Sequence, residues 1–510
     1  MRIIIAVAAL AAATGSAPAD PRFIDRAAAL PGPPHVYGGG WEHFVGGGAA
    51  VFDCNGDGRA EFLPAGGENP SPLFRNITAG PGAPLRFDRP EVQPLKGVTG
   101  VTGAYPLDMD GDGLLDLFVL RVGPNIALRG LGDCRFEDVT AAWGLPQDDR
   151  WTTAFSATWE PGAGRPTLAI GNYVDRADPD GPFEACDDNH LLRPAGQGYG
   201  PAVPLAPGYC ALSALFSDWA RDGRADLRLS NDRHYYVRGG AEQMWRLDPL
   251  RLMGADDGWR AVSIWGMGIA SRDLNGDARP DVMLTSMGDQ LLQLSDGATG
   301  FRDAPYDQGT YATRPFQGDD GRPSTGWHAQ FGDVDNDGRA DLFIAKGNVD
   351  QMGENAMRDP NNLLMQQPDG RFRETAASAG IATPDRARGA ALSDLDGDGL
   401  LDLIVVNRRA PLELWQNITP DAGHWLAVLP RQPGPNVFAV GSWVELRTAD
   451  GVQRQELTVG GGHAGGQAGP LHFGLGSAEG AELRILWPDG AATDWRPVAA
   501  DQVLDLRRGD

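Results

Sequence analysis

Apolar residues in this 510-residue chain fall in short runs, without the three-to-four-residue stripe of an amphipathic helix. Runs such as "GAAVF", "GIAS" and "GAALS" precede clusters of acids, and stronger ones, "LFVL", "VML", "LFIA" and "LIVV", follow them. A third run comes next ("PLFRNI", "LLQL", "NLLMQQ", "LELWQNI"), then a piece centred on an aromatic residue, such as "RFEDV" or "RFRET". Runs of about four to six residues bounded by Gly, Asp and Pro predict strands joined by short turns.

The acids between the first and second runs set a period. They read "DCNGDGRAE" (53–61), "DMDGDGLLD" (108–116), "DLNGDARPD" (273–281), "DVDNDGRAD" (333–341) and "DLDGDGLLD" (394–402), with a worn copy, "DWARDGRAD", at 218–226. The gap between 108 and 218 is double the usual one, and "WEPGAGRPTLAIGNYV" from Trp159 fills it with the flanking pattern but without the acids. Seven units of four short strands at a fixed period predict an all-β, seven-bladed β-propeller over residues 20–420.

The spacing of the acids has a chemical reading. Oxygen-bearing side chains occupy positions 1, 3, 5 and 9, and the carbonyl of position 7 adds a further oxygen. The expected ligands are Asp53, Asn55, Asp57, Arg59 and Glu61; Asp108, Asp110, Asp112, Leu114 and Asp116; Asp273, Asn275, Asp277, Arg279 and Asp281; Asp333, Asp335, Asp337, Arg339 and Asp341; and Asp394, Asp396, Asp398, Leu400 and Asp402. Arg59, Leu114, Arg279, Arg339 and Leu400 contribute only carbonyls. Carboxylates this close repel unless a cation lies between them, and oxygen-only ligation favours calcium, at about five sites. An EF-hand is excluded, because position 12 holds Pro64, Val119, Leu284, Ile344 or Val405 in place of a bidentate Glu, and the flanks are strands.

Charge and composition narrow the class. A net charge of −24 argues against nucleic-acid binding. The N-terminus has one arginine, an apolar run from Ile3 to Ala13 and the small-x-small sequence Ala17-Pro18-Ala19, which predicts a signal peptide over residues 1–19 and a secreted or periplasmic protein. No later run is long enough to span a membrane. In an oxidising compartment Cys54, Cys134, Cys186 and Cys210 can pair.

The acidic hairpins with strand flanks resemble the FG-GAP/VCBS repeats of integrin α-subunit propellers. The stretches "GSWVELRTADGVQRQELTVGGG", "LHFGLGSAEGAELRILWPDG" and "VLDLRRGD" resemble the ASPIC/UnbV domain. The combination is similar to the cartilage-acidic-protein-1-like family. The resemblance implies a secreted calcium-binding propeller with a small β-sandwich-like domain over residues 421–510.

A literal G-x-G-x-x-G occurs at Gly460–Gly465, but "GQAGPLHFGLG" after it cannot form the helix that a dinucleotide site needs, so a flexible hairpin is expected. With the acidic loops on one face of the ring, the opposite mouth should gather Asn231, Arg233, His234, Trp327, His328, Lys346, Asn348, Arg388, Asn407 and Arg408. Lys346 is one of two lysines against 42 arginines. Two readings stay open. These groups satisfy loop backbones and nearby acids, or they line a pocket for a protein, a glycan or a small anionic ligand. Function divides in the same way between a binding or adhesion module and an enzyme of hydrolase or lyase type using His328, Lys346 and Arg408. The faces also predict the disulfides: Cys54 with Cys134 on the acidic-loop side, and Cys186 with Cys210 around an insertion on the other.

Overall fold

The computed structural model describes residues 19–232, 239–297, 299–311, 322–349 and 355–509. The expected leader apart from Ala19, together with Arg233 and His234, lies outside the described residues.

Seven antiparallel sheets form a ring. Blade 2 is representative: Val101–Leu107, Asp116–Arg121, Ile126–Gly130 and Phe136–Asp138 pair in chain order. Blade 6 repeats it with Gly326–Gly332, Asp341–Lys346, Asn362–Gln366 and Phe372–Glu374. The first strands pack side by side around the axis, from Ala49–Phe52 of blade 1 to Ala387–Ser393 of blade 7 and back to blade 1. The unit without acids is a true blade, with Thr152–Thr158 paired to Thr167–Asn172. Its turn is held by Glu160, which accepts from Thr167 Oγ1 at 2.6 Å and pairs with Arg193 at 2.7 Å.

Blade 7 takes its fourth strand from the other end of the chain. Phe23–Asp25 pairs with Glu413–Asn417, placing Phe23 opposite Asn417 and burying its ring among Val405, Leu403 and Ala379. Blades are also pinned to one another by asparagines of two N-I-T sequences. Asn76 Nδ2 donates to Leu395 O at 2.7 Å, and Asn417 Nδ2 donates to Val334 O at 2.9 Å. Both amides are buried, so neither sequon is open to glycosylation in the folded chain.

Beyond the ring, His424–Arg431 lies between Leu471–Gly476 and Gln502–Arg507, and Trp443–Thr448 lies between Gly451–Glu456 and Gly480–Leu486. These sheets enclose Leu426, Val428, Val444, Leu446, Phe473 and Leu475 as a sandwich. The glycine run at 460–465 corrects the expected flexible hairpin. It leaves the sandwich and fills the propeller channel, where Gly461 N donates to Ala214 O, Gly462 exchanges bonds with Ile269, and Gly466 N donates to Ala104 O. Gln467–Ala468 then pairs in parallel with Val51–Phe52. The strand edges that face the axis need backbone partners, and only a chain nearly free of side chains fits among them. A Cβ on Gly103 would lie 1.5 Å from Ala464 O, and one on Gly48 2.0 Å from the same atom.

Gly103→Ala should therefore cost about 2 kcal/mol by overpacking, read from the urea midpoint, whereas Gly164→Ala, with nothing within 4 Å of its Cβ, should be neutral. Equal midpoints for the two variants would contradict the close-packed plug.

Candidate metal centres

Every acidic loop joins the first and second strands of its blade, and in the five complete loops backbone N–H groups hold the first and last carboxylates in place. In blade 6, Asp333 accepts from Asp337 N at 3.0 Å and Gly338 N at 2.8 Å. Asp341 accepts from Val334 N at 3.0 Å and, across the sheet, from Gln366 N at 2.9 Å. The same two-sided staple recurs at Asp116, Asp281 and Asp402. Glycines with positive φ, such as Gly111 at 78° and Gly113 at 85°, let the turn close around the first Asp.

Held in this way, carboxylate oxygens of Asp108, Asp110 and Asp116, of Asp333, Asp335 and Asp341, and of Asp394, Asp396 and Asp402 come within 4.8 Å of one another. Asp335 is 1% exposed, and neither of its oxygens meets a hydrogen-bond donor. Burial first and mutual repulsion second push Asp335 and Asp394 up to about 7, and Asp116 to about 8, and hold Asp333 and Asp341 well above the carboxylate range. A hard divalent cation fits this donor set, which is oxygen-only and convergent.

The profile of the FG-GAP-like repeat matches residues 333–405, which span the loops of blades 6 and 7, and the ASPIC and UnbV profile matches residues 432–510. Cartilage acidic protein 1 of Mus musculus is 25% identical over 89% of this chain and 72% of its own length. The Homo sapiens protein is 25% identical over 89% and 70%. Over most of its length the chain is similar to cartilage acidic protein 1, and it carries an FG-GAP-like repeat match and an ASPIC and UnbV match in its C-terminal half. The Xenopus tropicalis relative is 30% identical over 48% of this chain, a match that spans 36% of that relative's length. Among solved structures, BBS1N in complex with ARL6DN aligns with 78% of this chain and 97% of its own at 10% identity and a TM-score of 0.45. The Dos1 propeller aligns with 73% and 92% at 10% identity and a TM-score of 0.38.

The remaining FG-GAP loops differ. In blade 1, Glu61 approaches the Cys54–Cys134 disulfide, whose sulfurs are already bonded to each other. In blade 5, Asp273 pairs with Arg454 of the ASPIC/UnbV sandwich at 3.2 Å. In the worn loop of blade 4, Asp226 meets Arg246 at 3.3 Å, and Glu456 from the sandwich accepts from Ser217 and from Asp218 N. Blade 2 keeps its cluster while Arg129 bridges Asp110 and Asp112, each at 2.8 Å. Arg454 and Glu456 carry no periodic signal in the sequence; only the docking of the sandwich on the acidic-loop face brings them to the loops.

Among the described residues the opposite mouth is closed, in keeping with the first of the two readings, in which these groups satisfy loop backbones and nearby acids. Trp327, His328, Lys346, Asn348, Arg388, Arg408, Asn231 and Asn407 are all buried. Lys346 pairs with Asp359 at 3.0 Å. Arg388 stacks on Trp327 with its Cζ 4.1 Å from the ring centroid and donates to Phe44 O at 2.7 Å. Arg408 donates to Gly40 O at 3.0 Å. Residues 35–48 thus run over the mouth, and His463 of the plug meets Trp327 edge-on, its ring centroid 5.1 Å away. Burial lowers His328 to about 4 and His463 to about 3, so both are neutral at physiological pH. The second disulfide, Cys186–Cys210, forms on this side as expected.

Above pH 6.5 these histidines are neutral when folded and are largely neutral unfolded by about pH 7.5, so the buried carboxyls, raised further and more numerous, dominate the pH dependence as pH rises toward 8.5. A carboxyl raised to about 7 (Asp335, Asp394) or about 8 (Asp116) when folded, against about 4 unfolded, stabilises fully below the unfolded value and loses that contribution as pH rises through the folded one. With divalent ions chelated, the melting temperature should fall between pH 6.5 and 8.5; a flat or rising profile would contradict the convergence of charge.

Proposed function

We propose that the protein is an exported interaction module whose propeller and sandwich are locked into one rigid body by calcium in the acidic loops. The observation that carries this reading is the Asp333, Asp335 and Asp341 cluster, with Asp335 buried and unsatisfied. Calcium would be held by the three carboxylates and the position-7 carbonyl, adding its charge to that of Arg272 and Arg339 nearby. The two disulfides and the apolar N-terminal run support export.

The interacting surface on this reading is the outside of the closed mouth. Trp41 there is 45% exposed and braced edge-on against Trp151 at 4.9 Å. Arg176 lies beside it, paired with Glu42 and Asp149. A rigid aromatic with a charged rim suits a glycan or protein ligand. Catalysis by His328, Lys346 and Arg408 has no support in this geometry, because each is at most 4% exposed.

Calcium at tenfold excess over its dissociation constant stabilises by about 1.4 kcal/mol per site, so the three convergent loops together would contribute about 4 kcal/mol if independent. Thermal unfolding in calcium against excess EGTA at pH 7.5 should separate by several degrees, with magnesium a poor substitute. Superimposable melting curves would refute the calcium reading.

A further inference from the structure

The acidic loop of blade 6 differs from the others in what covers it. Asp335 O accepts from Gly423 N at 2.9 Å, and Asn336 O accepts from Gly476 N at 2.8 Å, so two backbone bonds tie this loop to the sandwich. Position 4 is glycine in the other complete loops (Gly56, Gly111, Gly276, Gly397); here it is Asn336, at a φ of 58°, whose Nδ2 donates to Gly399 O in the loop of blade 7. The sandwich sits so close that a Cβ on Gly474 would lie 2.0 Å from Asp333 Oδ2, and one on Gly423 2.2 Å from Asn336 O. Asp333, Asp335 and Asp341 are all buried beneath it.

We propose that the cation site of Asp333, Asp335 and Asp341 is the latch that seats the C-terminal sandwich, and through it the channel plug, on the propeller. This rests on the calcium reading of the acidic loops. Asp335 offers its carbonyl to the sandwich and its unsatisfied side chain to the loop's hollow, so an ion that fixes the side chain also fixes the carbonyl that Gly423 binds. If the three carboxylates ionise under this cover without the ion, no water relieves their repulsion, and the cover is strained open. Conversely, the bound ion leaves only when the sandwich lifts. The sandwich strands His424–Arg431 and Leu471–Gly476 carry these contacts, and the plug at 459–468 leads directly into the second of them. In blade 2 the comparable loop meets the sandwich through Pro435 and Val437, with no hydrogen bond among the described residues, and its Asp110 and Asp112 side chains keep 12% and 27% exposure. That site exchanges with solvent directly.

The test uses the full-length calcium-loaded protein and its Asp335→Asn and Asp110→Asn variants. Chelator-indicator mixing should release calcium from the wild type in fast phases plus one slow phase of a single ion per chain; Asp335→Asn should lose the slow phase and Asp110→Asn keep it. Hydrogen exchange at 424–431, 459–468 and 471–476 should accelerate tenfold or more in Asp335→Asn and be unchanged in Asp110→Asn, with blades 2 and 3 protected throughout as the check on folding. Gly474→Ala, which keeps every ligand, should speed the slow phase. Release in fast phases only, undisturbed exchange in Asp335→Asn, or equal acceleration in both variants would overturn the latch while leaving calcium binding intact. A wild type that binds no calcium would overturn the underlying reading as well.

Discussion

Seven strands that face a common axis leave their inner backbone groups without a neighbouring strand, and the architecture follows from how those groups are satisfied. Side chains alone cannot supply donors and acceptors at every level of so narrow a channel. A strand-like segment can, provided that it has almost no side chains, and the run around Gly460–Gly466 meets that requirement. The plug belongs to the sandwich, so the sandwich must dock on the ring, and it does so on the acidic-loop face. Residues 35–48 close the other end by offering carbonyls to Arg388 and Arg408.

Within the blades, one residue type serves two purposes. The ninth-position carboxylate ties the loop to the third strand through backbone N–H groups, and this staple persists at Asp281, where the site itself receives Arg454. Structural need therefore explains the acids at positions 1 and 9 in the five complete loops. The third position separates the loops: Asp110, Asp335 and Asp396 complete convergent clusters, whereas Ala220 in blade 4 leaves an assembly neutralised by arginine.

The sequence made local and repeated features legible. Strand order, the acid-free blade from Trp159 and both disulfides follow from a period and from which face each turn occupies. Features set by distant pairing were not legible. "RFID" at 22–25 has the form of the fourth-strand pieces "RFED" and "RFRE", a signal that went unread because it lies about 390 residues from its partner. The glycine run lacked any apolar pattern, since its partners are backbone atoms. The described mouth residues lie at the strand ends away from the acidic loops, and their burial depends on Asp359, Phe44 and His463, which no local pattern connects to them.

The pairing of Phe23 with Asn417 also sets an order of events. A chain emerging from its N-terminus presents this strand first, yet the strand has no partner until the third strand of blade 7 appears, and the channel has no filling until residues 459–468 follow. Six blades can form one after another while the ring is open, each with its own short-range hairpins. Closure and plugging then come together only once residues 413–468 have appeared, so the half-made ring carries an exposed strand edge until that point. This is the interval in which a chaperone is most needed.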